Sequence, residues 1–349
     1  MTSSQPAPSP NVHSTSTKDL RIAIVGGGIG GLCCGIGLLR HGLRNVHIYE
    51  SAPQFAEIGA GISLGRNAQN ALRELGLFVE DVEQICDSVA SGLYFELRDG
   101  RDNALHEEIY HRPLGQCSVH RAKFLDRILA HFPKDQAHFG KRLKEIRQDQ
   151  HTTPGRMPVT LTFHDGEEAQ ADLVIGYDGI RSTVRNFLNP VRSGLPTSPT
   201  GSTVHWSGTW AYRSMIPRSK MLGALGEKEG AFYVDTPQMW FAPETHIITF
   251  PIENGQIYNV VAFVTDRSRW PQRTPFPEDR AWTEEADADE LMEAFKKRKW
   301  HEVPMKVLQL FEKPSRWALH QIIPSLKSYV NGRIFVAGDA AHGGVPHRE

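Results

Sequence analysis

Residues 21–50, RIAIVGGGIGGLCCGIGLLRHGLRNVHIYE, contain the pattern that decides the fold. The β-branched residues at 21–25 predict a buried parallel strand, and the glycines after them predict a tight turn into a helix that ends near Arg40. Residues 46–50 predict the next strand. The uncharged residues 22–39 are long enough to suggest a membrane span, but their clustered glycines favour a strand, a turn and a helix.

The glycines follow the spacing G-x-G-x-x-G at Gly26, Gly28 and Gly31, in the strand–turn–helix setting that this motif requires. Gly26 permits the turn, Gly28 lets a pyrophosphate approach the backbone, and Gly31 lets the helix pack closely on the strand. The helix N-terminus attracts phosphates. Glu50, 19 positions beyond Gly31, can accept both hydroxyls of an adenosine ribose. The segment predicts binding of FAD or NAD, and the free 2′-hydroxyl disfavours NADP.

The length, charge balance and cysteine content of the chain indicate which kinds of molecule it can bind. The chain has 349 residues, enough for two domains, and balances 39 Lys and Arg against 40 Asp and Glu. Nothing here favours nucleic acid or an anionic membrane, so a small molecule is the expected partner. Cys33 and Cys34 are typical of small buried residues, and the four cysteines show neither a C-x-x-C nor a zinc spacing. We expect no metal site, no disulfide framework, a reducing compartment and a cytoplasmic location.

The N-terminal residues 1–19 are rich in Ser, Thr and Pro and have almost no large apolar side chain. Such a segment cannot bury enough surface to become ordered, so we predict a disordered tail. It lacks the apolar core of a secretory signal and the arginines of a transit peptide, and a mitochondrial address is the weaker alternative.

Residues 118–132 predict a helix with Arg121 in its first turn. The helix dipole disfavours a cation at that end. Either Arg121 is a solvated arginine that tolerates a small penalty, or a bound anion offsets the repulsion. The residues alone leave both interpretations open.

Two more strands end in a Gly and Asp pair. Residues 173–175 predict a buried strand that leads to Asp178 and Gly179, a turn that is common and proves little by itself. Residues 332–337 predict another buried strand, which leads to Gly338 and Asp339. Asp339 is placed there to hydrogen-bond a polyol such as a ribityl chain. A single NAD-binding half has no need of this distant element.

These motifs together resemble those of the FAD-dependent aromatic-ring monooxygenases and, within that family, those of the salicylate hydroxylase group. The likeness covers roughly residues 20–347. The stretches that carry it are GGGIGG at 26–31, EIGAGISLGRNA at 57–68, HR at 120–121, YDGIRSTVR at 177–185, AYR at 211–213, VDTPQM at 234–239, HIITFPIENGQIYNVVAFVTDRS at 246–268, WALH at 317–320 and GDAAH at 338–342.

The resemblance implies an α/β flavin aromatic hydroxylase fold, in which a Rossmann-type FAD-binding domain with a parallel sheet is joined to a β-sheet substrate domain. We expect residues 20–200 to form the first part of the FAD-binding domain, 201–304 the substrate domain, and 305–349 the return to the first. The pattern supports the second sheet: Asn254-Gly255 predicts a hairpin between strands at 246–252 and 256–264. Further strands are predicted near 203–215 and 231–235.

The resemblance also implies a reaction. NADH or NADPH reduces FAD, O2 then forms a flavin C4a-hydroperoxide, and this hydroxylates a phenolic or aromatic acid such as salicylate, to give catechol. The site should hold the substrate carboxylate with a cation and help to ionise its hydroxyl with a base.

Four residues are the catalytic candidates that the resemblance implies. Arg267 matches an arginine that serves the substrate, although an arginine after a strand is equally typical of the surface. Arg213 matches an arginine that related hydroxylases use in catalysis or in moving the flavin. His347, after Pro346, matches the active-site histidine of the family. His246 is secondary, because a lone histidine is more often structural. The implied cofactor-binding residues are Gly26, Gly28, Gly31, Glu50, Ser63, Arg121, Asp178, Gly179 and Asp339.

The family continues past the Pro-His pair with a Gln, a glycine-rich run and further helices, where this chain has Arg348 and Glu349. The resemblance therefore implies that C-terminal helices are missing, and with them an electrostatic support of the flavin. Two hypotheses follow: a flavin hydroxylase, or a catalytically impaired flavin-binding remnant. A third hypothesis, an ordinary NAD dehydrogenase, is disfavoured by the Gly and Asp pairs at 178–179 and 338–339.

Overall fold

A computed structural model describes most of the chain. The described residues are 17–54, 61–78, 82–88, 92–111, 115–148, 158–188, 204–268, 275–277, 279–323 and 325–346. Thr17–Asp19, the end of the predicted tail, form a short 3-10 helix, and residues 1–16 lie outside the described part. The candidate His347 lies outside it as well.

Twenty strands are formed by the described residues. They are β1 Ile22–Val25, β2 Val46–Tyr49, β3 Gly61–Leu64, β4 Asp87–Ser88, β5 Leu93–Asp99, β6 Leu105–Tyr110, β7 Cys117–His120, β8 Ala137–His138, β9 Leu143–Gln148, β10 Val159–Phe163, β11 Glu168–Ala171, β12 Leu173–Gly176, β13 Val204–Pro217, β14 Gln238–Ala242, β15 Thr245–Ile252, β16 Ile257–Thr265, β17 Thr283–Glu285, β18 Ser315–Ile322, β19 Val330–Asn331 and β20 Ile334–Val336.

Nine α-helices connect and cover these strands in the described part of the chain. They are α1 Ile29–Arg40, α2 Arg66–Glu74, α3 Arg121–Leu129, α4 Thr183–Leu188, α5 Arg218–Leu225, α6 Glu227–Asp235, α7 Ala288–Lys296, α8 Glu302–Leu308 and α9 Asp339–His342. None of them is long and apolar enough to span a membrane.

The predicted parallel sheet is confirmed. It has six strands in the order β19-β20-β12-β1-β2-β8, and β1 lies at its centre with parallel neighbours on both sides. Helix α1 packs against it, and its residues Leu32 and Ile36 share a core with Ile24 and Ile48. The order brings the carboxyl ends of β1, β2, β12 and β20 to one edge, because all four strands run in the same direction.

The second, larger sheet has eight strands in the order β17-β18-β13-β16-β15-β14-β5-β6. The predicted hairpin is present, since β15 and β16 pair antiparallel up to Ile252 and Ile257 on either side of the turn. Strands β5, β6 and β18 come from outside 201–304. The chain thus crosses between the two sheets more often than the expected division at residues 200 and 304 implies.

The two faces of the eight-stranded sheet bury different cores. On one face, Tyr212 and Trp240 pack with residues of α5 to α8 such as Leu291. On the other, Ala211 and Val261 belong to a separate apolar cluster, which also holds Phe95, Ile248, Phe250, Ile252 and Phe263. We call this second surface the inner face, because the short sheet β3-β7-β4 lies against it: a Cβ on Gly61 would come within 2.7 Å of the Phe250 ring.

The strand predicted near 231–235 was wrong, because these residues form the end of α6. The run AFYVD is rich in residues typical of strands, but a short apolar run does not distinguish a strand from a buried helix. Here Val234 is fully buried in the helical core together with Met221 and Leu225 of the preceding helix. Tertiary burial therefore decides the conformation against local propensity.

The expectation of unlinked cysteines was wrong for one pair. Cys86 and Cys117 form a disulfide with their Cα atoms 5.4 Å apart. They are separated by 31 positions along the chain, and the pairing of β4 with β7 brings them together. Cys33 and Cys34 are free thiols in α1, as expected.

Candidate functional site

The turn after β1 has the geometry that its glycines predict. Gly26 has a φ of +107°, and a Cβ there would lie 2.3 Å from the carbonyl oxygen of Tyr177. A Cβ on Gly31 would lie 2.1 Å from the carbonyl oxygen of Gly26, so helix and strand touch at this point. Gly28 differs, because a Cβ there would meet no protein atom within 4 Å. The space beside Gly28 and the first N–H groups of α1 is therefore open to a ligand.

Glu50 follows β2 and is held in place by backbone groups. Its Oε2 accepts a hydrogen bond of 2.6 Å from the N–H of Gly27, and its Oε1 accepts one of 2.8 Å from the N–H of Ala52 and one of 3.0 Å from the Ser51 hydroxyl. A carboxylate can accept about four hydrogen bonds. Glu50 is thus oriented by the glycine turn and keeps acceptor capacity for one further donor, such as a ribose hydroxyl.

The loop after β12 is built around Asp178. Its carboxylate accepts hydrogen bonds from the Ser182 hydroxyl at 2.5 Å and from the N–H groups of Thr183 and Val184 at 2.7 and 3.1 Å. Burial raises the pKa of Asp178, and these three bonds act in the opposite direction. Asp178 therefore fixes the start of α4, while Gly179, with a φ of +72° and open space at its Cβ, leaves the surface of the loop accessible.

Asp339 lies in the corresponding loop after β20, where its side chain is exposed. The Tyr177 ring joins this loop to the glycine turn, because it lies close to a glycine of each. A Cβ on Gly30 would be 3.0 Å from the ring, and a Cβ on Gly338 would be 3.2 Å from it. Arg185 makes a second link, which the sequence did not single out. Its buried guanidinium donates hydrogen bonds to the carbonyl oxygens of Ala340 at 3.1 Å and Ile180 at 2.6 Å.

A cleft of about 520 Å³ runs along this edge of the parallel sheet. Of the predicted cofactor-binding residues, Gly26, Gly28, Glu50, Asp178 and Gly179 line it. Gly31, Ser63, Arg121 and Asp339 are not among the described residues that do. The cleft is also lined by Val25, Tyr49, Ser51, Ala52, Lys141, Arg142, Leu143, Tyr177, Arg181 and Thr183.

The cleft residues fit a dinucleotide such as FAD. Gly28 leaves room for a group against the backbone, where N–H groups and the helix dipole favour a phosphate. Glu50 stands at the end of the neighbouring strand with acceptor capacity for a ribose hydroxyl. An extended nucleotide laid from Glu50 across Gly28 would reach Asp178 and Gly179.

Arg213 lies on the inner face of the eight-stranded sheet, two residues after Ala211 in β13. Its Cζ is 5.0 Å from the centre of the Trp317 ring, and its Nε is buried with no hydrogen-bond partner among the described residues. Burial, and then the positive charge of Arg121, lower the pKa of Arg213. Arg121 begins α3 directly after β7, and Arg213 lies in β13 of the large sheet, so the two positive charges act on each other across the space between these elements. Such a pair favours an anion there.

His246 lies on the same inner face in β15. Its ring is stacked on Phe263, with centroids 4.1 Å apart, and near Phe241 at 5.9 Å. Strand register places it in one row with Ala211, because Phe263 pairs with both residues. The structure thus brings His246 and Arg213 to one surface.

The other two predicted site residues are not brought into this group. Arg267 follows β16 and is exposed. Ser63, in β3, points toward the eight-stranded sheet, where its hydroxyl donates a hydrogen bond of 3.4 Å to the Tyr94 hydroxyl in β5. The described residues contain no cluster of three or more His, Cys, Asp or Glu side chains that could hold a metal ion.

Comparison with known proteins agrees with this geometry. Residues 19–348 match the family model described as an FAD binding domain. A salicylate hydroxylase of Pseudomonas putida is 38% identical over 333 residues, which are 94% of this chain and 73% of that protein. A 6-methylsalicylate 1-monooxygenase of Aspergillus terreus is 37% identical over 340 residues, 95% of this chain and 71% of that protein.

A solved structure, a salicylate hydroxylase substrate complex, superposes with a TM-score of 0.79 at 31% identity and covers 95% of this chain and 75% of that one. The family match covers nearly the whole chain, and the two relatives named above are more than 30% identical over more than two thirds of their own length. The chain therefore belongs to the FAD-dependent aromatic monooxygenases.

Proposed function

We propose that this enzyme hydroxylates a phenolic aromatic acid such as salicylate, with catechol as the product, NADH or NADPH as the electron donor and O2 as the oxidant. The observation that carries the proposal is Arg213, a partly buried cation with its Nε fully buried, set among aromatic and apolar side chains on the inner face. A planar aromatic acid offers an apolar ring and one negative charge, and this surface complements both. A cytoplasmic location, where NAD(P)H is supplied, is part of the proposal.

FAD bound in the cleft would supply the redox chemistry, namely hydride acceptance from NAD(P)H and activation of O2 for oxygen transfer to the substrate ring. Gly28, Glu50, Asp178 and Gly179 hold the dinucleotide, and Ser63, Arg121 and Asp339 complete its site. Arg213 attracts the anionic substrate or another negative group that develops in the reaction. Phe263 and His246 form an aromatic wall.

Arg267 keeps the role of a second cation for the substrate carboxylate. His347 keeps the role of the group that takes the phenolic proton. Arg267 is exposed, so it reaches a substrate only if that substrate extends to the end of β16. Replacement by Lys and by Gln tests this role: a carboxylate-binding arginine raises KM in both, more in Arg267→Gln, and an unchanged KM removes Arg267 from the proposal.

The decisive experiment measures NADH and NADPH oxidation by the purified, FAD-reconstituted chain with salicylate, with benzoate and without either. Benzoate keeps the carboxylate but lacks the hydroxyl that activates the ring. We expect salicylate to stimulate oxidation and to yield catechol with release of CO2, identified by chromatography. A dihydroxybenzoate would instead mean that an unsubstituted ring carbon is attacked.

The alternative is a flavin-binding chain without catalysis. It predicts the same yellow protein and the same FAD affinity, but no stimulation by any phenolic acid. A colourless protein that binds NAD tightly and leaves FAD unbound would contradict both.

A further inference from the structure

The disulfide lies close to Arg121 along the chain. Strand β4 pairs with β7, with Ser88 opposite Cys117 and Asp87 opposite Ser118, and Cys86 directly precedes β4. Strand β7 then runs on for three residues to His120, and α3 begins at Arg121. One short strand therefore connects Cys117 to the arginine whose charge acts on Arg213.

The disulfide is the covalent link between the segment of β4 and strand β7. Strand β4 has only two residues and lies at the edge of its sheet, where β7 is its neighbour. On its other side, β7 is tied to the large sheet by the Ser118 hydroxyl, which donates a hydrogen bond of 2.7 Å to the carbonyl oxygen of Pro251. Besides the two-residue pairing, β4 is held by the backbone N–H groups of Asn254 and Gly255, which donate hydrogen bonds to the Asp87 carboxylate, and by the Ser118 hydroxyl, which lies 3.4 Å from the Asp87 carbonyl oxygen. Opening the disulfide would remove the covalent link and leave β4 joined to its neighbours by these hydrogen bonds alone.

The two sulfur atoms differ in access. Cys117 is 1% exposed, whereas Cys86 is only partly buried. A small thiol or thiolate can therefore reach the Cys86 sulfur, with Cys117 as the leaving group. The free cysteines do not compete, because burial raises the pKa of Cys34 and raises that of Cys33 to about 11, so few of their thiols are ionised.

We propose that Cys86 and Cys117 are a reversible thiol–disulfide exchange site and, resting on the flavin-binding role proposed above for Arg121, that the closed form holds β7 and Arg121 in the position that this role requires. The sequence favours a reducing compartment, where such a pair responds to the local redox state. In the opening step, a dithiol reductant attacks the Cys86 sulfur, the S–S bond breaks, and Cys117 leaves and takes up a proton. The second thiol of the reductant then displaces Cys86, so that the reductant ends as a disulfide and the protein as two thiols.

The closing step is the reverse exchange with a small disulfide such as glutathione disulfide. A Cys86 thiolate attacks it and releases one glutathione, and Cys117 then displaces the second from the mixed disulfide. Two electrons and two protons pass from the protein to two glutathione molecules.

The test uses the full chain equilibrated with glutathione disulfide or with dithiothreitol. After oxidation, a non-reducing peptide map should contain a fragment that joins Cys86 to Cys117, and the denatured protein should show two titratable thiols. After dithiothreitol it should show all four that the sequence contains. Four thiols after oxidation would overturn the exchange site.

The effect on the site is measured as FAD affinity and melting temperature in both states. We expect reduction to weaken FAD binding several-fold and to lower the melting temperature by several degrees. Cys86→Ser should match the reduced wild type in either buffer, and Cys34→Ser, the control, should keep the full response. Because the comparison is also made within the wild type, it does not depend on how the variants fold. A cross-link that forms and opens with no change in FAD affinity would overturn the link to Arg121.

Discussion

Arg185 donates a hydrogen bond of 3.1 Å to the carbonyl oxygen of Ala340, a residue 155 positions later in the chain. The same guanidinium bonds the carbonyl oxygen of Ile180 at 2.6 Å, and its residue is 2% exposed. It thus joins the loop of Asp178 to the loop of Asp339 at the edge of the parallel sheet. Two stretches that the sequence presents as separate turns are one structural unit.

We predict that Arg185→Ala lowers both stability and FAD affinity. The substitution leaves two carbonyl oxygens without their donor and opens a cavity, which costs about 2–4 kcal/mol of unfolding free energy. Chemical denaturation of the FAD-free protein measures the first effect, and titration with FAD the second. Arg147→Ala is the matched control, because Arg147 is exposed and its ion pair with Glu168 is worth about 1 kcal/mol or less.

Gly26 and Gly28 give opposite predictions for the same change. In Gly26→Ala the new methyl would meet the Tyr177 carbonyl oxygen at 2.3 Å with φ at +107°, so we expect a loss of several kcal/mol and poor folding. In Gly28→Ala the methyl meets no protein atom within 4 Å, and φ is −66°. The fold should keep its stability to within about 0.5 kcal/mol, whereas FAD affinity should fall at least about tenfold.

Melting temperature without FAD and the dissociation constant with FAD, measured on both variants, check this pair. If Gly28→Ala bound FAD as tightly as wild type, the open space beside Gly28 would not be the phosphate site.

The parts of the site that the sequence predicts are those whose geometry is local. Glu50 could be placed because the glycine turn, the helix and the next strand are consecutive, so spacing alone determines which groups meet. The role of Arg185 could not, because Ala340 reaches it only through the order of strands β12 and β20. For Arg213 the resemblance supplied the position, and the alternation of β13 shows which face it occupies.

The same reasoning explains the expectations that failed. Cys86 and Cys117 are joined by a strand pairing between elements that spacing does not reveal. The run at 231–235 has strand-forming side chains, yet the helical core takes up Val234. Long-range packing decided both cases, and a single sequence carries little information about it.

Arg213 and Arg316 lie on adjacent strands but on opposite faces, and we predict opposite consequences for the same substitution. Arg316 pairs with Glu284, bonds Glu290 at 2.6 Å and is fully buried on the helix side. Arg316→Met should therefore destabilise the protein by about 2 kcal/mol, because it removes the hydrogen bonds of a buried guanidinium to Glu284 and Glu290, although Arg280 stays close to both carboxylates.

Arg213→Met should be neutral or slightly stabilising, by up to about 1 kcal/mol, because the described residues offer Arg213 no ion pair and Arg121 repels it. Its expected defect is functional: substrate-stimulated NADH oxidation should fall at least about a hundredfold, and Arg213→Lys should recover part of it. Denaturation curves and steady-state rates separate the two arginines. A large loss of stability in Arg213→Met would show that Arg213 is a structural residue.

The stability of the fold should depend on pH through the buried His320. His320 lies against Trp282 with ring centroids 3.5 Å apart, and burial lowers its pKa from 6.5 to about 4. His320 takes up a proton near pH 6.5 in the unfolded chain but only near pH 4 in the folded protein. The stability that a neutral His320 contributes is therefore complete above pH 6.5, and it is lost as the pH falls from there through 4. His320→Phe keeps the ring stack but cannot titrate, so urea denaturation at pH 7 and pH 4.5 should show a smaller loss for this variant than for wild type. Equal losses would mean that the lowered pKa values of His47 and His138, which act in the same direction, carry the whole effect.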